Sequence, residues 1–197
     1  DYYNGGARYN TTYIQCTGLG TTTDCFATIK KHVFEDKRYT MDELLTAVAA
    51  NFEGHEKMRQ YIMNRTPFFG NDDEYADTIA VKVYEDLVKA IKGHPNTRGG
   101  ETQLNMLSTT CHNYFGSVCH ATPNGRLAHF AISDGTSPAH GADTNGPTSV
   151  IKSLGKLDQT QSGGTLLNMR FIPALLKREE DLDKLVSLIR AYFKMGG

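Results

Sequence analysis

The sequence predicts an α/β protein, and three observations support this fold class. Apolar residues recur at helical spacing through much of the first half, between acidic starts and glycine stops. Two apolar runs, at 104–115 and 165–171, lack that spacing and favour buried strands. A helical pattern lies between the two runs and another follows the second, so strands and helices alternate. This pattern alone does not fix the order of strands in a sheet.

The first helices are predicted from their capping residues. Thr23 and Asp24 are suited to cap a helix over 23–34. Thr40 and Glu43 have the spacing of a capping box, in which each residue accepts a hydrogen bond from the backbone of the other. A second helix is therefore predicted directly after Thr40.

The clearest helix signal begins at Asn71, where three acidic residues follow at once. Carboxylates favour the positive end of a helix dipole, and helical spacing then continues until Gly93. Later in the chain, a proline at the first position predicts a helix over 147–157. An amphipathic pattern predicts a last helix over 181–195.

Length and composition are those of a globular domain. The chain has 197 residues, of which 39% are hydrophobic and 22% charged, so it can bury a substantial core. A net charge of −1 gives no electrostatic reason to expect nucleic acid or an anionic membrane as a partner. No apolar run approaches the roughly 20 residues that a membrane-spanning helix needs.

The cysteine pattern does not favour a metal site. The four cysteines are Cys16, Cys25, Cys111 and Cys119. None has the close pairing that zinc sites use. His112 and His120 each follow a cysteine, but successive residues of a strand point to opposite faces. Buried, reduced thiols are the favoured interpretation.

The segment 134–171 is the most informative part of the chain. It combines many glycines and prolines with polar residues. Such a segment must turn repeatedly and let backbones approach closely, as a loop beside a functional site does. Its glycines favour a scaffolding role over direct ligand contact, and Arg126 and Asp143 are candidates for ion pairs that fix it.

Several segments together resemble a known family. They are SPAHGADTNGPTSVIKSLGKLD with GGTLLNMRF, STTCHNYFG, ATPNGRLA, and NGGARYN with Gln15 and Gly18. In this order and over nearly the whole chain, they resemble the glycyl radical enzymes, which are pyruvate formate-lyase-like. The similarity lies in the dehydratase and lyase branch.

The resemblance implies a fold and a division of the chain. Glycyl radical enzymes have a ten-stranded α/β barrel built from two half-barrels, so this chain would form part of one half and leave open sheet edges. The family's Cys-x-Glu loop would precede Asp1, and its radical-bearing glycine motif would follow Gly197. Residues 1–197 are therefore expected to be a partial catalytic domain that lacks both reactive elements. No cysteine here has a glutamate two residues later.

The resemblance also implies an activity. The enzyme would eliminate water from hydroxyproline by radical chemistry; glycerol or propanediol dehydration and choline trimethylamine-lyase activity are the alternatives. Thr109, Thr110 and His112 are the expected substrate-binding residues, because hydroxyls and an imidazole suit the polar groups of hydroxyproline. On a strand, only one of the two threonines would face the substrate, and His112 would share a face with Thr110.

No bound cofactor and no metal are expected in this chain. The family implies a glycyl radical that an S-adenosylmethionine-dependent iron–sulfur activase installs, and a homodimer in an anaerobic cytoplasm. Its partners would be the small-molecule substrate, the activase and the remainder of its own polypeptide.

Other functional classes fit less well. A non-catalytic structural piece is the main alternative for the chain by itself. Dinucleotide binding is disfavoured because Thr23 stands where the third glycine of GxGxxG would fall after Gly18 and Gly20. A hydrolase nucleophile elbow is disfavoured because the run from Gly135 ends in Ala139.

Overall fold

The computed structural model describes residues 6–197, so Asn4 and Gly5 of the NGGARYN motif lie outside the described residues. Over this range the chain forms three strands and seven α-helices. The strands are β1 (Thr12–Gln15), β2 (Thr102–Met106) and β3 (Ser162–Thr165). The helices are α1 (Leu19–Ile29), α2 (Met41–Ala49), α3 (Glu56–Arg65), α4 (Glu74–Ile91), α5 (Cys111–Val118), α6 (Pro147–Leu154) and α7 (Glu179–Lys194).

The strands form one parallel sheet in the order β1-β2-β3. Helices α1 to α4 connect β1 to β2, and α5 and α6 lie between β2 and β3, as parallel neighbours require. The α/β fold class is therefore confirmed. Within the described part of the chain β1 and β3 are the outer strands, in agreement with the expected open edges. Because the strands are parallel, their carboxyl ends meet at one edge of the sheet.

The main core lies between the sheet and α4. Leu104 and Met106 of β2 pack against Ala76, Ala80 and Tyr84 of α4, and all five are buried. Each large apolar side chain buried in this way contributes about 1.5–3 kcal/mol. A second apolar cluster joins α2 and α3. The sheet is thus held on one face by helices, while its carboxyl edge is left to loops.

The helices predicted from residues close to their own ends are confirmed. Thr40 and Glu43 form the predicted capping box, with Glu43 N donating to Thr40 Oγ1 over 3.2 Å and Thr40 N to Glu43 Oε2 over 2.7 Å. Asp73 caps α4 through the Tyr75 amide. Pro147 is the first residue of α6, although that helix ends at Leu154 and not at 157. The last predicted helix corresponds to α7.

The prediction for the first helix is wrong at its start. Helix α1 begins at Leu19, and Thr23 and Asp24 lie inside it, fully buried. Its cap comes from a distant part of the chain, because the Thr21 amide donates to Ser133 Oγ over 3.0 Å. Past Ile29 the helix continues as a π-helix over Lys30–Glu35.

The predicted strand over 104–115 is also wrong beyond β2. The chain leaves the sheet after Met106, turns through residues 107–110, and enters α5 at Cys111. Thr109 adopts a left-handed conformation with φ +48°, which a strand cannot contain. The predicted strand over 165–171 is wrong in the same way, since β3 ends at Thr165.

Among residues 6–197, no helix combines the length and the apolar character needed to cross a bilayer.

Candidate functional site

A loop covers the carboxyl ends of all three strands. Residues 133–138 of this loop are buried, and they contact in turn the segments that follow β1, β2 and β3. We call residues 133–146 the strand-end loop. In parallel α/β sheets, ligands bind outside the carboxyl ends of the strands, so this edge is the candidate site.

Ser133 joins the strand-end loop to the segment after β1. Its carbonyl accepts hydrogen bonds from Gly18 N at 3.0 Å and from Thr17 Oγ1 at 3.1 Å. Its own amide donates to Thr21 Oγ1 over 2.8 Å, and its hydroxyl accepts from the Thr21 amide. Ser133 is fully buried, so these bonds fix both the loop and the start of α1.

Asp134 joins the loop to the segments after β2 and β3. Its carboxylate accepts from Ser108 Oγ on one oxygen and from Asn168 Nδ2 on the other. Ser108 Oγ also accepts from Gly135 N over 3.1 Å. Both Ser108 and Asp134 are buried. A buried carboxylate with two such donors is an organising centre of the site.

The loop then runs beside the segment that follows β3. Thr136 N donates to Leu166 O over 3.0 Å, and Asn168 N donates to Ser137 Oγ over 3.0 Å. Gly135 is required here: its φ is +47°, and a Cβ would lie 2.7 Å from the Leu166 and Met106 carbonyl oxygens. Leu166 still donates its amide to Met106 O of β2 over 3.2 Å, but its carbonyl and the Asn168 amide bond to the loop, and β3 is therefore shorter than predicted.

Asn71 anchors the far end of the strand-end loop. Its Oδ1 accepts from the amides of Thr144 and Asn145 at 2.8 and 2.9 Å, and its Nδ2 donates to Ala142 O over 2.7 Å. The helix-start signal at Asn71 therefore has a second, tertiary role.

The expected ion pairs of Arg126 and Asp143 do not form within the described residues. The Arg126 guanidinium instead donates to the carbonyls of Leu127 and Phe130, at 3.2 and 2.6 Å. Its partial burial lowers its pKa. Arg126 fixes the 120–130 segment, while Asp143 is exposed on the loop.

The three expected substrate-binding residues lie together at the end of β2. Thr109 and Thr110 are exposed on the turn between β2 and α5, and His112 is buried in the first turn of α5. Because they lie on a turn and a helix, the argument from strand alternation does not apply. Both threonines are exposed, and His112 does not share a strand face with Thr110.

His112 faces Asp134. Its Nδ1 lies 3.6 Å from Asp134 Oδ1, and this buried nitrogen has no hydrogen-bond partner among the described residues. The His140 ring, on the strand-end loop, lies edge-on to His112 with ring centroids 5.9 Å apart. The site therefore combines two imidazoles, one buried carboxylate and two exposed threonine hydroxyls.

Cys16 and Cys25 are not activated as nucleophiles. Burial raises the pKa of the Cys16 thiol, and it raises that of Cys25 to about 11, so both are protonated at neutral pH. Cys16, Cys25 and Cys119 are only partly buried and Cys111 is exposed, which contradicts the expectation of buried thiols. Over residues 6–197, no group of three or more His, Cys, Asp or Glu side chains is arranged to hold a metal ion.

Sequence reasoning missed the three residues that organise the site. Ser108, Asp134 and Asn168 lie in or beside the quoted motifs, but they contact one another across large sequence separations. A usable signal was present for Ser108 and Asn168, since each is a small polar residue shortly after an apolar run, where parallel strands end, whereas Asp134 lies on a loop that follows no strand.

Comparison with models of known families decides which family the chain belongs to. A model described as pyruvate formate lyase-like matches residues 1–116, and one described as glycine radical matches residues 132–197. The chain belongs to the pyruvate formate lyase-like family. The strand-end loop lies in the part of this family member that matches the glycine radical model.

Individual relatives of this pyruvate formate lyase-like chain agree with the assignment. It is 51% identical over 197 residues to trans-4-hydroxy-L-proline dehydratase of Clostridioides difficile, covering all of this chain and 25% of the relative. It is 40% identical over 183 residues to isethionate sulfite-lyase of Bilophila wadsworthia, covering 91% of this chain and 22% of that protein. The chain thus spans about a quarter of the length of these relatives.

Solved structures share the same fold. The C. difficile hydroxyproline dehydratase with trans-4-hydroxy-L-proline bound matches with a TM-score of 0.97 at 51% identity, over 100% of this chain and 25% of that one. The glycerol-bound, B12-independent glycerol dehydratase of Clostridium butyricum matches with a TM-score of 0.93 at 35% identity, over 98% and 25%. These matches agree with the expectation that the three strands form part of a larger α/β barrel.

Proposed function

We propose that the whole protein is a glycyl radical dehydratase that eliminates water from trans-4-hydroxy-L-proline. The observation that carries this proposal is the 51% identity over the full chain to a hydroxyproline dehydratase. Similarity to the glycerol and 1,2-propanediol dehydratase structures is lower, at 35% and 36%.

The radical chemistry belongs to elements outside this chain. A glycyl radical and a cysteine thiyl supply hydrogen abstraction in this proposal, and an S-adenosylmethionine-dependent iron–sulfur activase generates the radical. Residues 1–197 act as the partial catalytic domain that lacks both reactive groups. A homodimer in an anaerobic cytoplasm completes the proposed assembly.

Substrate recognition is the proposed role of this chain. Thr109 and Thr110 are exposed at the carboxyl end of β2, and His112 lies next to them. Hydroxyproline offers a carboxylate, a ring nitrogen and a hydroxyl. Threonine hydroxyls and an imidazole provide both donors and acceptors for these groups. Thr110 precedes α5 directly and makes no capping hydrogen bond with its side chain, and the amino end of this helix also favours a carboxylate because it is the positive end of the helix dipole.

The strained backbone of Thr109 supports this location. A β-branched residue at φ +48° is an outlier that costs on the order of 1–3 kcal/mol. Such strain persists where the surroundings enforce it, and it is enriched at ligand sites. Here the bond between Ser108 and Asp134 holds the preceding residue of the turn.

The test uses the full-length protein with its activase under anaerobic conditions. Electron paramagnetic resonance would report the glycyl radical, and substrate loss would be followed separately for trans-4-hydroxy-L-proline, glycerol, 1,2-propanediol and choline. We expect a glycine-centred signal and turnover of hydroxyproline at least about tenfold above the others. Radical formation with preferred turnover of a diol or choline would contradict the substrate assignment. Absence of the radical would contradict the proposed enzyme class.

A variant pair tests the proposed contacts. Thr110→Val removes a hydroxyl with little change in shape, and we expect kcat/KM for hydroxyproline to fall about tenfold or more. Thr148→Val makes the same change on the exposed surface of α6 and should leave the kinetics unchanged. Equal kinetics for the two variants and wild type would exclude a Thr110 contact.

A further inference from the structure

The carboxylate of Asp134 has a third neighbour whose contact is incomplete. Ser108 and Asn168 already donate to it, and the third neighbour, His112 Nδ1, lies 3.6 Å from Oδ1. Hydrogen bonds of this type are about 2.7–3.2 Å long. A shift of a few tenths of an ångström would therefore complete the bond.

The unpaired state of His112 is costly. Its Nδ1 is buried and has no partner among the described residues, and an unsatisfied buried donor or acceptor destabilises the state that contains it. Asp134, 3% exposed, is the charged group nearest to that nitrogen in the described structure. Hydrogen bonds of this kind are often long without substrate and tighten in the complex.

We infer that Asp134 is a positioning residue that acts through His112. In the substrate complex its carboxylate accepts the Nδ1 hydrogen, which fixes the tautomer and the plane of the imidazole. Nε2, on the opposite side of the ring, is then left as an acceptor for a polar group of the substrate. Asp134 touches no substrate itself in this arrangement.

The same carboxylate also fixes the turn that presents Thr109 and Thr110. Ser108 precedes Thr109 directly, and its hydroxyl bridges Asp134 and the Gly135 amide. One buried charge therefore sets the placement of all three proposed substrate contacts. The two effects are separable, because Ser108→Ala loosens the turn but leaves the carboxylate opposite His112.

A double-mutant cycle in the full-length, activated protein tests whether Asp134 acts through His112. This experiment rests on the proposed function, because it measures turnover of trans-4-hydroxy-L-proline. Asp134→Asn and His112→Gln should each lower kcat/KM about tenfold or more, and the loss in the double variant should be clearly smaller than the sum of the two single losses, because only the part of the Asp134→Asn loss that acts through the turn adds to that of His112→Gln. Asp143→Asn, an exposed change in the same loop, should match wild type. Additive losses in the double variant would overturn the inference.

A second measurement does not depend on turnover. Carbethoxylation of His112 by diethyl pyrocarbonate, followed by mass spectrometry, reports how firmly the ring is held. We expect labelling at least about threefold faster in Asp134→Asn than in wild type, and near-wild-type labelling in Asp143→Asn and Ser108→Ala. Equal labelling of Asp134→Asn and wild type would overturn the inference, as would equally fast labelling of Ser108→Ala.

Together, the kinetic cycle and the labelling experiment distinguish a failure of the proposed substrate from a failure of the proposed role of Asp134. If wild type forms the radical but does not consume hydroxyproline, the proposed substrate fails while the labelling result still decides the role of Asp134. If wild type turns over hydroxyproline and the labelling is unaffected by Asp134→Asn, only the positioning role fails.

Discussion

The region of helices α1 to α4 and the strand-end region are built by different interactions. Helices α2 and α4 begin at caps supplied by residues adjacent in sequence. The strand-end region, comprising residues 107–110, 133–146 and 166–168, is held by bonds between residues 26 to 34 positions apart, such as those of Asp134. Local signals therefore specify the scaffold, and long-range polar contacts specify the candidate site.

The largest expected effect comes from adding a side chain at Gly20, where α1 lies against the backbone of the strand-end loop. Gly20 lies in the first turn of α1, where alanine would normally favour the helix by about 1 kcal/mol. A Cβ there would lie 2.8 Å from Ser137 O and 2.9 Å from Ala139 N. We expect Gly20→Ala to lower the free energy of unfolding by about 3 kcal/mol, measured by chemical denaturation of the full-length protein.

Gly54→Ala is the matched control for Gly20→Ala. Gly54 has φ +75° and open space around it, so only backbone strain of about 1 kcal/mol applies. If Gly20→Ala is no more destabilising than Gly54→Ala, then the loop is not packed against α1 as described.

Releasing the far end of the strand-end loop should have the next largest effect. Asn71→Ala removes the bonds to Ala142, Thr144 and Asn145, and it should cost about 2 kcal/mol. Hydrogen exchange should accelerate at the amides of Thr144 and Asn145 but not in α2. Uniform acceleration throughout the chain would mean that the two regions are not separable.

Removing a local cap should affect the helical region alone. Thr40→Ala breaks the capping box of α2 and should cost about 1 kcal/mol. Turnover and His112 labelling should remain at wild-type values, because no contact joins Thr40 to the strand-end loop among the described residues. A change at the site in Thr40→Ala would show coupling that the contacts do not predict.

The smallest expected effect is a pH dependence from Asp24. Burial raises the pKa of its carboxyl well above the ordinary value, so the native state keeps a proton that the unfolded state releases. Stability should therefore fall as pH rises above the ordinary pKa of the unfolded carboxyl, 3.8. Asp24→Asn keeps an acceptor for the Phe69 amide and should flatten this decline between pH 4 and pH 5, just above the pKa of the unfolded carboxyl.

Melting temperatures at both pH values would measure the effect, with exposed Asp143→Asn as the control. A wild-type slope that Asp24→Asn leaves unchanged would assign the pH dependence to other groups.

Features that depend on nearby residues could be predicted from the sequence, and features that depend on distant residues could not. The capping box at Thr40 and the acidic start of α4 were readable, because their evidence lies within a few residues. The start of α1 was not, since its amide is capped by Ser133, more than a hundred residues away.

The ends of the strands were missed for a related reason. Threonines have high β-propensity, so Thr109 and Thr110 favoured a continued strand. The turn that they form depends on Asp134 and Gly135, which no local pattern links to them. The structure brings Thr109, Thr110 and His112 together after β2, and their contact with substrate stays a prediction.

A crystal structure of the full-length protein with trans-4-hydroxy-L-proline bound tests the central claim most directly. We predict that the ligand lies at the carboxyl ends of the strands, within about 3.2 Å of a hydroxyl of Thr109 or Thr110 or of His112 Nε2. His112 Nδ1 should have closed onto Asp134 in that complex. A ligand bound elsewhere, with the turn after β2 covered by other parts of the protein, would contradict the claim.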